Sequence, residues 1–133
     1  MKMKTIKQAA NDSSWSETII RAVVRSLGDK SYLSDIANHG VDGGFPGFTY
    51  YSDTVAFFRK HRKEITDNLL ALADDMGEDP VKMVSSWRCV GPEFKTEVGQ
   101  VVYGARLTDE HTTVANALAW YAAEEIARAM TDY

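Results

Sequence analysis

The sequence predicts a mainly α fold, a compact single-domain helical bundle with two long helices, on three observations. Val55, Phe58, Arg62, Ile65, Leu69, Leu72 and Met76 fall at alternating steps of three and four, which sets all seven on one helical stripe. Start and stop signals bracket such stretches, as at Asp79-Pro80 and at Gly77. Ala115, Ala117, Ala119, Ala122, Ala123, Ala127 and Ala129 give the last stretch high helix propensity and allow close approach of a neighbouring helix.

Taken in order, Met1 to Ser13 is polar and basic and is expected to be a flexible segment ahead of a single helical domain over residues 14–133. Ser14-Trp15-Ser16-Glu17 matches a capping box, in which Ser14 and Glu17 each satisfy an orphan donor at a helix start. The helix that follows is expected to bury Trp15, Ile19, Ala22, Val23 and Leu27 and to stop at Gly28. A short helix over residues 31–38 offers Tyr32, Leu33, Ile36 and Ala37 before His39-Gly40 breaks it. From Gly40 to Tyr51 stand four glycines, one proline and four aromatic residues. That is too much punctuation for a regular element and too many aromatic rings for a solvated linker. Two readings of this loop stay open: a cover whose rings plug the core, or a binding loop held by a rigid scaffold.

The central helix is expected to open with Ser52 as N-cap and Asp53 in its first turn, and to end at Met76. It would then run for roughly 36 Å at about 1.5 Å per residue. Asp79-Pro80 starts a short helix through Ser86. Over residues 93–105 the pattern supports a helix with Phe94, Val98, Val101, Val102 and Ala105 on one stripe, or a small β-hairpin around 94–103. Pro92 favours the helix, whereas Gly99 and Gly104 oppose it by about 1 kcal/mol each. Thr108 is the expected N-cap of the second long helix, with Asp109 and Glu110 in its first turn. Val114, Leu118, Tyr121, Ile126 and Met130 form the face that packs on the central helix.

A chain of 133 residues, 44% hydrophobic, can bury one core without staples. The lone Cys89 excludes an intrachain disulfide and leaves no cysteine pair for zinc. No apolar run approaches about 18 residues, and no apolar stretch follows the basic N-terminus, so a cytoplasmic protein without a membrane span is expected. The net charge of −4 is too mild for an imitation of the DNA phosphate rail. The charge is nevertheless unevenly placed: Arg59, Lys60, Arg62 and Lys63 cluster within two turns, and Asp74, Asp75, Glu78 and Asp79 gather at the helix end. The helix dipole prefers the reverse, at about a few tenths of a kcal/mol per charge.

No spacing assembles a catalytic or metal site. His39, His61 and His111 include no pair at helical ligand spacing, and nothing brings an imidazole to Cys89. Glu124 and Glu125 point about 100° apart on a helix. The glycines from Gly40 to Gly47 match no phosphate-binding fingerprint, and Asp53 would repel an anion there. The expectation is therefore a protein that is not an enzyme, with no catalytic residues, no metal and no cofactor. The basic cluster is either a solvated face with Arg62 snorkelling at the core edge or a surface for phosphates or an acidic partner.

His39-Gly40 with its following glycines, then Tyr50-Tyr51-Ser52-Asp53-Thr54, Phe57-Phe58 and His61 to Ile65, resembles a motif of small uncharacterised bacteriophage and prophage proteins. Asn116-Ala117-Leu118-Ala119-Trp120-Tyr121-Ala122-Ala123-Glu124-Glu125 resembles their closing segment. The resemblance covers roughly half the chain and leaves out residues 1–27 and 92–106. It implies no activity and no catalytic residue. It does imply a mobile-element gene, whose small products often act against host machinery, including restriction and CRISPR systems. The expected function is binding a host protein in the host cytoplasm, as an inhibitor of a defence system, through His39, Asp42, Phe45, Phe48, Arg59, Lys60 and Lys63. The alternative is a small DNA-binding regulator that uses Arg59, Lys60, Arg62 and Lys63.

Overall fold

Local capping chemistry decides where most of the helices begin and end. The computed structural model describes residues 2–27, 32–39, 51–87, 91–105 and 112–132. These residues form β1 (Lys2–Met3), α1 (Ile6–Asn11), α2 (Glu17–Leu27), α3 (Tyr32–His39), α4 (Tyr51–Met76), α5 (Pro80–Ser85), α6 (Pro92–Val102), α7 (Thr112–Met130) and β2 (Thr131–Asp132). The fold is mainly α, as the periodicity predicts. By its contacts the chain divides into two compact units, Met1–Asp53 with Trp120–Tyr133, and Thr54–Ala119. The division falls inside α4 and α7.

In the first unit the N-terminal residues depart from the flexible segment expected over residues 1–13. Thr5 caps α1 with a full capping box: its hydroxyl accepts from the Gln8 amide at 3.1 Å, and the Gln8 side chain accepts from the Thr5 amide at 2.9 Å. β1 pairs antiparallel with β2, Lys2 opposite Asp132 and Met3 opposite Thr131, and the Lys4 amide donates to the Met130 carbonyl at 2.8 Å. Ala9 is fully buried, and α1 packs on α2. The pairing partner lies at the other end of the sequence, which is why local composition suggested fraying.

The cap of α2 is also displaced. The helix begins at Glu17, and Ser16 rather than Ser14 serves it: the Ile20 amide donates to the Ser16 carbonyl, and the Ile19 amide reaches the Ser16 hydroxyl at 3.5 Å. Trp15 then precedes the cap, is buried, and meets Tyr121 with ring centroids 6.1 Å apart. Ile19, Ile20, Val23 and Leu27 of α2 join Leu33 and Ile36 of α3 and Tyr121, Ile126 and Met130 of α7 in this core. Tyr32, expected inside, is 47% exposed. It sits about 100° around α3 from Leu33, which takes the buried place.

α4 starts at Tyr51, so Ser52 is its second residue and not its cap, and from Thr54 onward the helix belongs to the second unit. The helix is not the straight rod expected: His61 has φ −114° and ψ 18°, and the helix kinks there. Before the kink Thr54, Val55, Phe57 and Phe58 are buried; after it Ile65, Thr66, Leu69 and Ala73 are. Ile65 and Leu69 keep to the expected stripe; past them Ala73 takes the buried place, Leu72 is half-buried and Met76 is 59% exposed.

The stops are legible in chemistry as well as geometry. Gly77, at φ +66°, lets its amide donate to the Asp74 carbonyl and the Glu78 amide to the Ala73 carbonyl, the Schellman arrangement. Asp79 caps α5 by accepting from the Lys82 amide at 3.0 Å, with Pro80 in the first turn. Residues 94–103 are helical through Val102, so the hairpin alternative is replaced by α6, which buries Phe94, Val98, Val101 and Val102. A second Schellman arrangement ends α6: Gly104 at φ +95° donates to Val101, and Ala105 donates to Gln100. The expected cap at Thr108, the stop at Gly28 and the glycine and aromatic loop from Gly40 to Tyr50 lie outside the described residues.

The two glycines of α6 and its end make opposite predictions. A Cβ on Gly99 would meet Val81 at 3.7 Å, an ordinary contact, so Gly99→Ala is expected to stabilise the protein by about 0.5–1 kcal/mol. Gly104→Ala places a side chain in the left-handed region and is expected to cost about 1–3 kcal/mol. Urea denaturation at unchanged m value reads both; shifts of the same sign would contradict this geometry.

Candidate partner-binding surface

The exposed face of α4 begins with its kink. No proline or glycine stands near His61, and its ring lies against Phe57 with centroids 5.0 Å apart. His61 is half-buried between Arg59 and Lys60, both exposed, and Arg62, which is half-buried. Burial first, and then the neighbouring Lys60 ammonium, holds the His61 imidazole below its ordinary range, while Glu64 pulls it back up.

The four basic residues that the sequence groups together do different things. Lys63, with its side chain 90% exposed, pairs with Asp67 one turn on at 2.6 Å. The hydrogen bond and charge of Asp67 raise the Lys63 ammonium above its ordinary range. Arg62 points the other way: its guanidinium donates to the carbonyl of Ala105, the residue that closes the end of α6. Lys60, His61, Lys63, Glu64 and Asp67 line a shallow depression of about 280 Å³, so acids and bases alternate on this face.

Beside it runs a groove of about 360 Å³ lined by Arg62, Lys63, Thr66, Asp67 and Leu70 of α4 and by Val101, Val102, Tyr103 and Gly104 at the end of α6. Val101 and Val102 are buried and Leu70 half-buried, whereas Tyr103 is 68% exposed. Sequence reasoning missed the groove. Arg62, Thr66 and Leu70 stand at steps of four, and that signal was present, but their facing residues come from an element some thirty positions on.

Of the other residues expected at a partner surface, His39 is the exposed last residue of α3 in the first unit. Asp42, Phe45 and Phe48 lie outside the described residues, as do Cys89 and His111. Glu124 and Glu125 are half-buried, and Glu125 holds Arg128 at 2.9 Å. Among the described residues no three His, Cys, Asp or Glu side chains gather as metal ligands, and no helix is long and apolar enough to cross a membrane.

Residues 9–133 match the family model described as a domain of unknown function, DUF7222. The match takes in residues 9–27 and 92–106, to which the phage-protein resemblance does not extend. No curated protein and no solved structure matches the chain.

The depressed His61 gives a signed pH dependence. Below the unfolded value of 6.5 the unfolded chain takes up a proton that the folded chain resists. Stability is therefore complete above that value and is lost as pH falls through the folded midpoint. Over about pH 5–8, the stability difference between wild type and His61→Asn should be flat on the alkaline side and shrink on the acid side. Proton NMR should place the His61 midpoint below 6.5, higher in Lys60→Gln and lower in Glu64→Gln. A midpoint at or above the unfolded value would contradict the assignment.

Proposed function

The chain belongs to the DUF7222 family, and from that premise, which carries no activity, we propose that it is a non-enzymatic protein that binds another protein through the exposed face of α4 and the adjoining end of α6. The observation that carries this reading is the mixed charge of the face. Lys63 is paired with Asp67 at 2.6 Å, Arg62 is engaged by Ala105, and Glu64 and Asp67 share the surface with Lys60. A duplex would have to bring its phosphates against two carboxylates and displace an ion pair. A protein surface can match both signs, and the exposed Tyr103 ring supplies an aromatic contact beside a charged rim.

Placement in a mobile element, and action against a host defence system such as CRISPR in the bacterial cytoplasm, is supported by the resemblance of the motif around Tyr51-Ser52-Asp53-Thr54 and of the segment Asn116 to Glu125 to phage and prophage proteins. The DNA-binding alternative keeps one supporting feature, the exposure of Arg59, Lys60 and Lys63 within two turns.

Photo-crosslinking separates the two. With benzoylphenylalanine placed at position 60 or 103, irradiation in a bacterial host should give the same protein adduct at both. A probe at position 25, an exposed site on α2, should not. Arg59→Glu with Lys60→Glu should lower the adduct at least several-fold while the helical circular dichroism persists. Adducts equal at position 25, or unaffected by the charge reversal, would refute the surface. Retention on duplex DNA at about 50 mM salt, falling steeply as salt rises, would favour the DNA-binding reading instead.

A further inference from the structure

One side of α4 is exposed from the kink to the end of the helix, and its charges run in the reverse of the order a helix prefers. Lys60, Lys63, Asp67, Ala71 and Asp74 are exposed at steps of three and four, with Leu70 half-buried beside them, so they share one stripe. The two lysines come first. Asp74, Asp75 and Glu78, all exposed, gather at the carboxyl end. The macrodipole favours acids at the amino end and bases at the carboxyl end, so both groups oppose it. Among the described residues no cation pairs with Asp74, Asp75 or Glu78.

An order that is unfavourable within one helix becomes favourable against a partner carrying the same charges in the opposite direction, and a reversed copy of α4 is such a partner. The midpoint between Asn68 and Leu69 lies as far from Lys63 as from Asp74. Turned about a two-fold axis at that level, each Lys63 meets the Asp74 of the other copy, and each Lys60 reaches the turn that carries Glu78. Asp67 then lies opposite Leu70, and the small Ala71 lets the two backbones approach. Lys63 can serve both copies, because an ammonium has three donors and Asp67 takes one of them at 2.6 Å. The two macrodipoles also run in opposite directions, so each helix end meets the charge it lacks.

We propose that this face pairs with the same face of a second copy of the chain, the two α4 helices antiparallel, with Lys63 on Asp74 and Lys60 on Glu78 across the axis. The pairing rests on the protein-binding reading of this face and names one partner for it. Exposed ion pairs are individually weak, and a single helix face is smaller than the roughly 800 Å² per partner of a stable complex. The dimer is therefore weak and sensitive to salt.

Sedimentation equilibrium of the full chain at about 50 mM salt should show exchange between monomer and dimer with a dissociation constant on the order of 100 µM, weakened several-fold at about 500 mM salt. Lys60→Glu with Lys63→Glu, and separately Asp74→Lys with Glu78→Lys, should each weaken the dimer about tenfold while the helical circular dichroism persists. Mixed in equal amounts, the two variants should rejoin as a heterodimer, because each then meets opposite charge on both sides of the axis. A wild-type chain that stays monomeric at about 1 mM, a dimer indifferent to salt or to both variants, a mixture that does not rejoin, or assemblies growing beyond two chains would each overturn the pairing. Crosslinks from positions 60 and 103 to a different protein, made by a chain that stays monomeric, would sink the self-pairing alone; loss of those crosslinks would sink the protein-binding reading.

Discussion

Arg62 ties the end of α6 to α4, and the surface features of this unit follow from that tie. Its guanidinium donates to the carbonyl of Ala105, the residue whose own amide closes the Schellman turn onto Gln100. A charged donor on a partly exposed carbonyl contributes on the order of 1 kcal/mol, a modest stabilisation with a large geometric consequence. It sets a helix end, with its glycine turn and exposed Tyr103, beside the stripe of Thr66 and Leu70. It also withdraws one of four clustered cations from solvent and leaves Lys63 to Asp67.

The charge pattern that looked misplaced along α4 thus has a division of labour. Four cations within five positions, Arg59, Lys60, Arg62 and Lys63, read in one dimension as a phosphate-binding face. In three dimensions Arg62 turns toward α6, Lys63 is paired with Asp67, Glu64 shares the face, and burial and Lys60 hold the His61 imidazole below its ordinary range. What remains is a mixed, polar surface bordering an aliphatic groove, better matched to a protein chain than to a uniform polyanion.

The helices were legible wherever the deciding chemistry lay within a turn of the chain. The Asp79 carboxylate and Pro80 start α5, and Gly77, free of a side chain, takes the positive φ that stops α4. Ser16 displaced Ser14 as a cap by the same local chemistry, once burial of Trp15 chose between two serines. Thr5 and Gln8 carry a capping box that was readable in the N-terminal residues and was passed over as polar composition. The pairing of Lys2-Met3 with Thr131-Asp132 was not readable, because its partner is at the far end of the sequence. The kink at His61 has no proline or glycine to announce it, and beyond Leu69 the buried place passes to Ala73 while Met76 is exposed. The groove was hidden for the same reason as the strand pair: Thr66 and Tyr103 meet only after folding.

Amide hydrogen exchange at Gly104 and Ala105 in Arg62→Met tests this tie most directly. The substitution keeps the apolar stem and removes the guanidinium. If Arg62 seats the end of α6, exchange at these two amides should accelerate several-fold over wild type while amides in α2 keep their rates. Unchanged exchange at Gly104 and Ala105 would show that α6 is held by its own packing, and that Arg62 does not build the groove.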